Sequence, residues 1–267
     1  MLRFEKWEGL GNDFILVEED VSPSRVRWLC DRHAGVGADG VIVVGAIDGL
    51  RCRMIVRNAD GSRPEMCGNG LRCVAGYLVD RASDGAGEVT VETDAGPRHC
   101  RADRQADGSY RVAAGMGIAE VGEPLDFAAS SDGSGGSERS WPFTTVRVGN
   151  PHAVSFAPFV SEDVDEIGPA VDRHVDGGTN VELCKVADDG RRLEVAVWER
   201  GVGRTQACGT GACAAVAAAA AAARVPFDEP VDVVLAGGVL EIVVAREDGS
   251  LIMTGPARRV FVGETLL

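Results

Sequence analysis

Two cysteines, each followed at once by glycine, a polar residue and glycine, are the residues of this chain best suited to chemistry. Cys67 opens Cys-Gly-Asn-Gly-Leu-Arg-Cys at 67–73, and Cys208 opens Cys-Gly-Thr-Gly-Ala-Cys at 208–213. Helix-forming residues follow each motif, so each thiol is predicted to lie at a helix start. The free N–H groups and positive dipole end of a helix favour a thiolate and bind anions such as carboxylates. The pattern predicts two activated thiols that could face one substrate from opposite sides.

The two motifs belong to a longer internal repeat. One offset of 141 positions relates 67 to 208, 95–96 to 236–237, 107–109 to 248–250 and 122–123 to 263–264. Upstream the register slips slightly, since residues 11–12 correspond to 149–150 at an offset of 138. An internal duplication explains these matches and predicts one structural unit used twice. We expect two domains, 1–122 with Cys67 and 123–267 with Cys208, and the last strand is free to pack back on the first domain.

Strands and glycine turns are predicted to deliver polar side chains to these thiols. Strand patterns at 51–57 and 193–198 end at Asn58 and at Glu199-Arg200, which correspond under the repeat. Glycine turns present three further asparagines, namely Asn12, Asn150 and Asn180. The Ser/Gly-rich run at 130–140 predicts a flexible loop. One half therefore offers an amide where the other offers a carboxylate and a guanidinium, which suits an unsymmetrical ligand with ammonium and carboxylate groups.

Composition narrows the class of protein. With 267 residues, 45% hydrophobic and a formal net charge of -14, the chain is globular and poorly suited to nucleic acid or another polyanion. Its eight cysteines follow no signal segment, which predicts reduced thiols in the cytoplasm. No C-x2-C or H-x3-H pair occurs, so no metal site is predicted. The alanine run at 212–223 is short and weakly apolar for a bilayer, so we expect a buried helix and no membrane span.

The combined motifs resemble those of the diaminopimelate epimerase family. The resemblance rests on the segments 9–14, 58–62, 66–70, 149–152, 199–201 and 205–211 and runs from residue 9 to the end. It implies an α+β fold of two similar domains, each a strongly curved, mainly antiparallel sheet wrapped around a central helix, with the site between the domains. It also implies a cofactor-independent isomerase that interconverts LL- and meso-2,6-diaminopimelate in lysine and peptidoglycan precursor biosynthesis. The oligomeric state is left open, with a homodimer as one alternative.

The residues fit that chemistry. Inverting a carbon that bears hydrogen requires a base on one face and an acid on the other, and Cys67 and Cys208 supply the two. Backbone N–H groups at the two helix starts would stabilise the charge that develops on the reacting carboxylate. By the resemblance, Arg200 pairs with the distal carboxylate and Glu199 accepts from an amino group. The substrate-binding set carried over is Asn12, Asn58, Gly68, Asn69, Asn150, Asn180, Glu199, Arg200, Gly209 and Thr210.

Two positions depart from the family pattern, and three other functions stay open. Gly40 stands where some members have glutamine, and Arg204 stands where glutamate is common. The nearest alternative is an amino-acid racemase of the same architecture, which the large polar set at Asn58, Asn180 and Glu199 disfavours. A thiol redox protein would need its cysteines to oxidise reversibly in turnover. A binding module without catalysis would use the cysteines only as small buried residues.

Overall fold

The structure is a computed structural model that describes residues 1–82, 85–130 and 138–266. By its internal contacts the chain forms two units, Met1–Gly115 with Thr254–Leu267, and Met116–Met253. The first segment of unit 1 thus ends at Gly115, whereas the repeat predicted a domain boundary after residue 122. The division into domains 1–122 and 123–267 therefore stays a prediction. Of the predicted loop at 130–140, residues 131–137 lie outside the described part of the chain.

Strands and helices follow the order that the duplication predicts. In chain order they are β1 Leu2–Gly9, β2 Asn12–Val17, α1 Pro23–Cys30, β3 Gly40–Asp48, β4 Arg51–Asn58, α2 Gly68–Ala82, β5 Ala86–Thr93, β6 Gly96–Arg104, β7 Tyr110–Ile118, β8 Glu120–Ser130, β9 Glu138–Val148, β10 Asn150–Ser155, α3 Asp163–His174, β11 Asn180–Val186, β12 Arg192–Glu199, β13 Gly203–Arg204, α4 Gly209–Ala221, β14 Val231–Leu235, β15 Gly238–Val244 and β16 Ser250–Thr265. Strands β4 and β12 end at Asn58 and Glu199, the residues predicted to end them.

The first unit is a mainly antiparallel sheet with two parallel joints. Antiparallel pairs join β1 to β2, β3 to β4, β5 to β6 and β6 to β7, and β16 pairs with β1. Parallel pairs join β2 to β3 and β4 to β5. Helix α2 packs against β1, β5 and β6 and is buried from Gly68 to Val79. A helix buried on all sides is the expected centre of a curved sheet.

The second unit repeats this plan. Antiparallel pairs join β9 to β10, β11 to β12 and β14 to β15, and the parallel joints are β10 with β11 and β12 with β14. Helix α4 packs against β15, β9, β10 and β11, and its alanines lie buried up to Ala220. Alanine side chains bring helix and sheet close together without loss of helix propensity. The predicted α+β fold with an internal duplication is confirmed.

Small satellite cores fix the strands that carry the polar turns. In the first unit, α1 buries Val26 and Leu29 against Val41 and Val43 of β3. In the second, α3 buries Val164, Ile167 and Val171 in a cluster with β11. Across the described residues, none of the helices has the length and apolarity needed to cross a membrane.

Candidate active site

Both motif cysteines lie at helix N-termini, as the sequence predicts. Cys208 is the N-cap of α4, with extended backbone angles of φ -113° and ψ 112°, and its Sγ accepts from the Gly211 N–H at 3.3 Å. Cys67 Sγ accepts from the Gly70 N–H at 3.5 Å, at the start of α2. The carbonyl of each cysteine also accepts the first helical hydrogen bond, from Leu71 and from Ala212. Each sulfur therefore takes the place of a capping side-chain oxygen, where the helix favours negative charge.

The surroundings of Cys208 oppose the stabilisation of a thiolate by the helix N-terminus. Cys208 is buried, and burial raises the pKa of its thiol well above the usual range, with the charges of Glu199 and Glu182 adding to the rise. Hydrogen bonds from Thr210 and the Gly211 N–H lower this pKa but do not cancel the rise. Cys67 is half-buried. Cys208 is therefore a protonated thiol at neutral pH, a state suited to a proton donor.

In the first unit, two predicted asparagines contact each other. Asn69 Nδ2 donates to Asn12 Oδ1 at 3.1 Å, so the residue two positions after Cys67 meets the tip of the β1–β2 hairpin. Asn12 Nδ2 donates to Asp39 Oδ2 at 2.6 Å. Asn58 is held by its own turn, because its Nδ2 donates to Ser62 Oγ at 3.0 Å.

In the second unit, a chain of hydrogen bonds runs from Cys208 into the core. Thr210 Oγ1 lies 3.5 Å from Cys208 Sγ and accepts from Asn150 Nδ2 at 3.3 Å. Asn150 Oδ1 lies 3.0 Å from His152 Nε2, and His152 Nδ1 lies 2.8 Å from Glu182 Oε1. Which ring nitrogen of His152 donates depends on its tautomer, and both nitrogens lie within hydrogen-bond distance of an oxygen. This series of hydrogen bonds orients the Thr210 hydroxyl toward the Cys208 thiol.

Asn180 links two turns of the second unit, and Glu199 is held by a neighbouring threonine. Asn180 Nδ2 donates to the Pro151 carbonyl at 2.9 Å, and its Oδ1 accepts from the Arg200 N–H at 3.0 Å. Asn180 thus ties the two turns that carry Asn150 and Arg200. Glu199 Oε1 accepts from Thr205 Oγ1 at 2.5 Å.

Arg200 is exposed, and one nitrogen of its guanidinium is held by a hydrogen bond to the backbone. Its Nη1 donates to the Gly177 carbonyl at 2.9 Å. The guanidinium has further donors beyond that one, which can reach an anion. This arrangement suits a residue that binds a carboxylate at the edge of a site.

Sequence reasoning missed Glu182 and Asp39. Glu182 lies in strand β11 between the buried Val181 and Leu183 and is itself fully buried. A carboxylate between two apolar residues was the signal that could have identified it. Asp39 precedes β3 and contacts Asn12, which is 27 positions away. That contact depends on strand pairing, and no local pattern indicates it.

The structure explains both departures from the family pattern. A Cβ atom on Gly40 would lie 2.7 Å from the Arg57 carbonyl oxygen, so the backbone here leaves no room for a glutamine. Arg204 pairs with Asp165 at 2.7 Å and donates to Ser161 Oγ at 2.6 Å, so its charge is neutralised next to α3. Among the described residues, no cluster of metal-ligating side chains is found.

The fold is shared with solved structures described as a hydroxyproline epimerase, a predicted epimerase and a probable proline racemase. A hydroxyproline epimerase from Agrobacterium vitis matches with a TM-score of 0.74 at 15% identity, covering 99% of this chain and 90% of that chain. A protein described as a predicted epimerase from Pseudomonas aeruginosa matches with a TM-score of 0.74 at 18% identity and covers all of both chains.

Sequence comparison narrows this class to one family. The diaminopimelate epimerase family model matches residues 4–121 and 144–260. The diaminopimelate epimerase of Synechocystis sp. is 41% identical over 98% of this chain and 98% of its own length. That of Moorella thermoacetica is 40% identical over 98% of this chain and 99% of its own length. The chain belongs to the diaminopimelate epimerase family.

Proposed function

We propose that this protein is an isomerase that converts LL-2,6-diaminopimelate to meso-diaminopimelate with Cys67 and Cys208 as its two acid–base groups. The observation that carries the proposal is that the two units repeat one plan and each places a cysteine at the N-terminus of its buried central helix. Family membership supplies the substrate.

The reaction needs two groups because a single group that returned its own proton would restore the starting configuration. One cysteine as thiolate removes the α-proton from one face, and the other as thiol delivers a proton to the opposite face. Cys208 starts as the donor, since burial and two neighbouring carboxylates keep it protonated. The roles exchange in the reverse direction.

The α-proton is weakly acidic, so charge that develops on the carboxylate must be stabilised in the transition state. The N–H groups of Gly68 and Asn69, and of Gly209 and Thr210, lie in the first turns of α2 and α4, where they have no intrahelical acceptor. We propose that these groups bind the reacting carboxylate without any cofactor. Such fixed donors need no reorganisation during the reaction.

The remaining polar residues are proposed to hold the rest of the substrate. Arg200 presents its guanidinium fork to the distal carboxylate, and Glu199 accepts from an ammonium group. Asn12, Asn58 and Asn150 supply further hydrogen bonds, and Asn180 acts by tying the turns that carry Asn150 and Arg200. Since these contacts span two charged ends, they favour a diamino diacid over a small apolar amino acid.

Incubation with LL-diaminopimelate in D2O tests the function directly. We expect the meso isomer to appear with one deuterium at the inverted carbon, with no added cofactor and with reductant present. Absence of exchange under these conditions would remove the proposal. Turnover of proline or hydroxyproline in place of diaminopimelate would favour a racemase of the same fold.

Variants of the cysteines test the assignment of roles. We expect Cys67→Ala and Cys208→Ala each to abolish epimerisation, and serine at either position to be poor because its hydroxyl is far less acidic. Cys73→Ala and Cys213→Ala serve as controls, because both side chains are fully buried within the helices and are expected to affect mainly stability. Near-normal epimerisation by Cys67→Ala or Cys208→Ala would refute the two-base assignment.

We also propose that the protein works in the reducing cytoplasm, where both thiols stay free, and that it assembles as a homodimer. Three consecutive apolar residues near the chain end, Val260, Phe261 and Val262, are 51%, 46% and 63% exposed, which supports association. Light scattering after size-exclusion chromatography tests the assembly. A monomer mass at micromolar concentration would contradict it.

A further inference from the structure

The tip of the β1–β2 hairpin holds Asn12 in a strained turn. Gly9 pairs with Asn12 across a two-residue loop, and the loop residues Leu10 and Gly11 have φ of 56° and 79°. Positive φ at both positions is the geometry of a tight type I′ turn, and it is unfavourable for leucine. Strain of this kind persists only where surrounding contacts enforce it. Asn12 therefore leaves the turn at a fixed position.

The amide of Asn12 is fixed as well as its backbone. A side-chain amide can adopt two orientations that exchange its oxygen and nitrogen. The neighbouring Asn69 amide has both a donor and an acceptor, so it cannot by itself select one orientation. Asp39 can, because a carboxylate only accepts, and its Oδ2 lies 2.6 Å from Asn12 Nδ2. The amide oxygen then accepts from Asn69 at 3.1 Å.

Asp39 belongs to a group of four charged side chains. Arg32 Nη2 contacts Asp39 Oδ1 at 2.9 Å, and the Asp13 N–H donates to Asp39 Oδ2 at 3.0 Å. Arg32 also binds both oxygens of Asp13, at 2.7 and 3.1 Å. The buried Lys6 closes the group at 2.6 Å from Asp13.

The charges of this group balance. Two carboxylates face two cations, so the group adds no net negative charge next to a site for an anionic substrate. Burial by itself would raise the pKa of Asp13, but hydrogen bonds and charges from Arg32 and Lys6 outweigh it and lower that pKa to about 2. Asp13 is therefore ionised at neutral pH, and the contact with Arg32 at 2.9 Å leaves the Asp39 carboxylate as an acceptor.

The second unit holds its equivalent asparagine in the opposite orientation. Asn150 donates through Nδ2 to Thr210, and its oxygen faces His152 Nε2 at 3.0 Å. Asn12 instead accepts from Asn69 and donates to Asp39. The two duplicated turns thus carry the same residue type. The orientation of each amide follows from its partner, which is the Asp39 carboxylate for Asn12 and the His152 ring for Asn150.

We propose that Asp39 is a positioning residue that selects the amide orientation of Asn12, so that the second N–H of Asn12 points to an oxygen of the substrate. This inference rests on the proposed function for its kinetic test. Asp39 acts through Asn12 and does not touch the reacting atoms.

A double-mutant cycle on kcat/KM for LL-diaminopimelate tests the proposal, with Asn12→Ala, Asp39→Ala and the double variant. We expect each single variant to lose roughly tenfold, and the double variant to be no worse than Asn12→Ala within about twofold, because Asp39 has no effect without Asn12. Asp39→Asn keeps one acceptor and should recover part of the activity lost in Asp39→Ala. Losses that multiply in the double variant, or an unchanged Asp39→Ala, would overturn the proposal.

The matched control is Asp103→Ala. Asp103 forms an exposed ion pair with Arg101 in the same unit, at 3.1 and 3.2 Å, and is expected to leave kcat/KM unchanged. Thermal unfolding of all variants separates loss of fold from loss of positioning.

A second measurement does not depend on activity. The side-chain amide signals of Asn12 in 15N NMR spectra, assigned by their loss in Asn12→Ala, should shift and exchange faster with solvent in Asp39→Ala but not in Asp103→Ala. Unchanged signals in Asp39→Ala would overturn the positioning role even in a protein that failed to turn over diaminopimelate. Inactivity of the unmutated protein with normal signal changes would instead refute only the proposed function.

Discussion

Replacing Gly211 with alanine is the sharpest test of how the second helix start is packed, because the first unit offers a matched control. Gly211 and Gly70 are each the third residue of their helix, and each donates its N–H to the sulfur of the motif cysteine. A Cβ on Gly211 would lie 2.5 Å from Glu182 Oε1 and 3.2 Å from Cys208 Sγ. A Cβ on Gly70 would lie 2.7 Å from the Ile42 Cδ1 methyl and 3.6 Å from Cys67 Sγ.

The two clashes differ in what must move. Both side chains are fully buried, but at Gly70 only an apolar methyl group has to shift, whereas Glu182 is bonded to His152, so its shift disturbs the hydrogen bonds that lead to Cys208. Overpacking a buried site costs about 1–3 kcal/mol, and glycine to alanine in a helix returns up to about 1 kcal/mol. We expect Gly70→Ala to be close to neutral and Gly211→Ala to lose about 1–2 kcal/mol.

The assay is thermal and denaturant unfolding of both variants beside kcat for epimerisation. A loss of about 1–2 kcal/mol corresponds to a midpoint lower by roughly 2–8 °C in a protein of this size. We also expect kcat to fall about tenfold or more in Gly211→Ala and much less in Gly70→Ala, since a misplacement of about 1 Å at a reacting group is costly. If Gly211→Ala were as stable and as active as Gly70→Ala, the buried Glu182 would have to be mobile, and the reasoning would fail.

Three further predictions concern charge. Arg200→Lys keeps the charge but loses the bidentate fork, so kcat/KM for diaminopimelate should fall on the order of a hundredfold, and lysine, which lacks the distal carboxylate, should be a poor substrate before and after the change; equal loss with both substrates would refute the distal role. In Cys67→Ala protein, iodoacetamide should label Cys208 more slowly below pH 9 than an unfolded cysteine, because burial and Glu199 raise its pKa; labelling at the unfolded rate at pH 7 would contradict this. Asp13→Asn should lose about 2 kcal/mol of unfolding free energy at pH 7. Because folding lowers the pKa of Asp13, its carboxylate stabilises the folded protein above the unfolded pKa, and this stability is lost as the pH falls through the folded pKa. The difference in unfolding free energy between the two proteins should therefore close between about pH 4 and pH 2. A difference that persists at pH 2 in denaturant titrations would refute the ion pair.

The parts of the site that follow local sequence rules could be predicted, and those that follow strand register could not. A cysteine before Gly-polar-Gly and a helix-forming run fixes an N-cap from neighbouring residues alone, and α2 and α4 begin at Gly68 and Gly209 as expected. The strand ends at Asn58 and Glu199 follow equally from alternation and turn residues.

Asp39 and Glu182 could not be predicted from the sequence, because each contacts its partner, Asn12 or His152, across a parallel strand pair. The β2–β3 register sets Phe14 opposite Gly40, which places Asp39 beside Asp13 and Asn12. The β10–β11 register sets His152 opposite Asn180, two residues before Glu182. Parallel strands are joined through a helix, so no turn between them reports the register, and a shift by one residue would send either carboxylate to the other face.

The duplication explains the parts that the two units share, while the surroundings of the two motifs differ. Each unit keeps a cysteine cap, glycines in the first helical turn and an asparagine at a hairpin tip. The partners of that asparagine differ, as a carboxylate balanced by Arg32 holds Asn12 and an imidazole on a buried carboxylate holds Asn150. Two identical thiols in identical surroundings would compete equally for one proton. Burial, together with the charges of Glu199 and Glu182, raises the pKa of the Cys208 thiol and holds it protonated. In the proposed two-base reaction, this thiol would start as the proton donor.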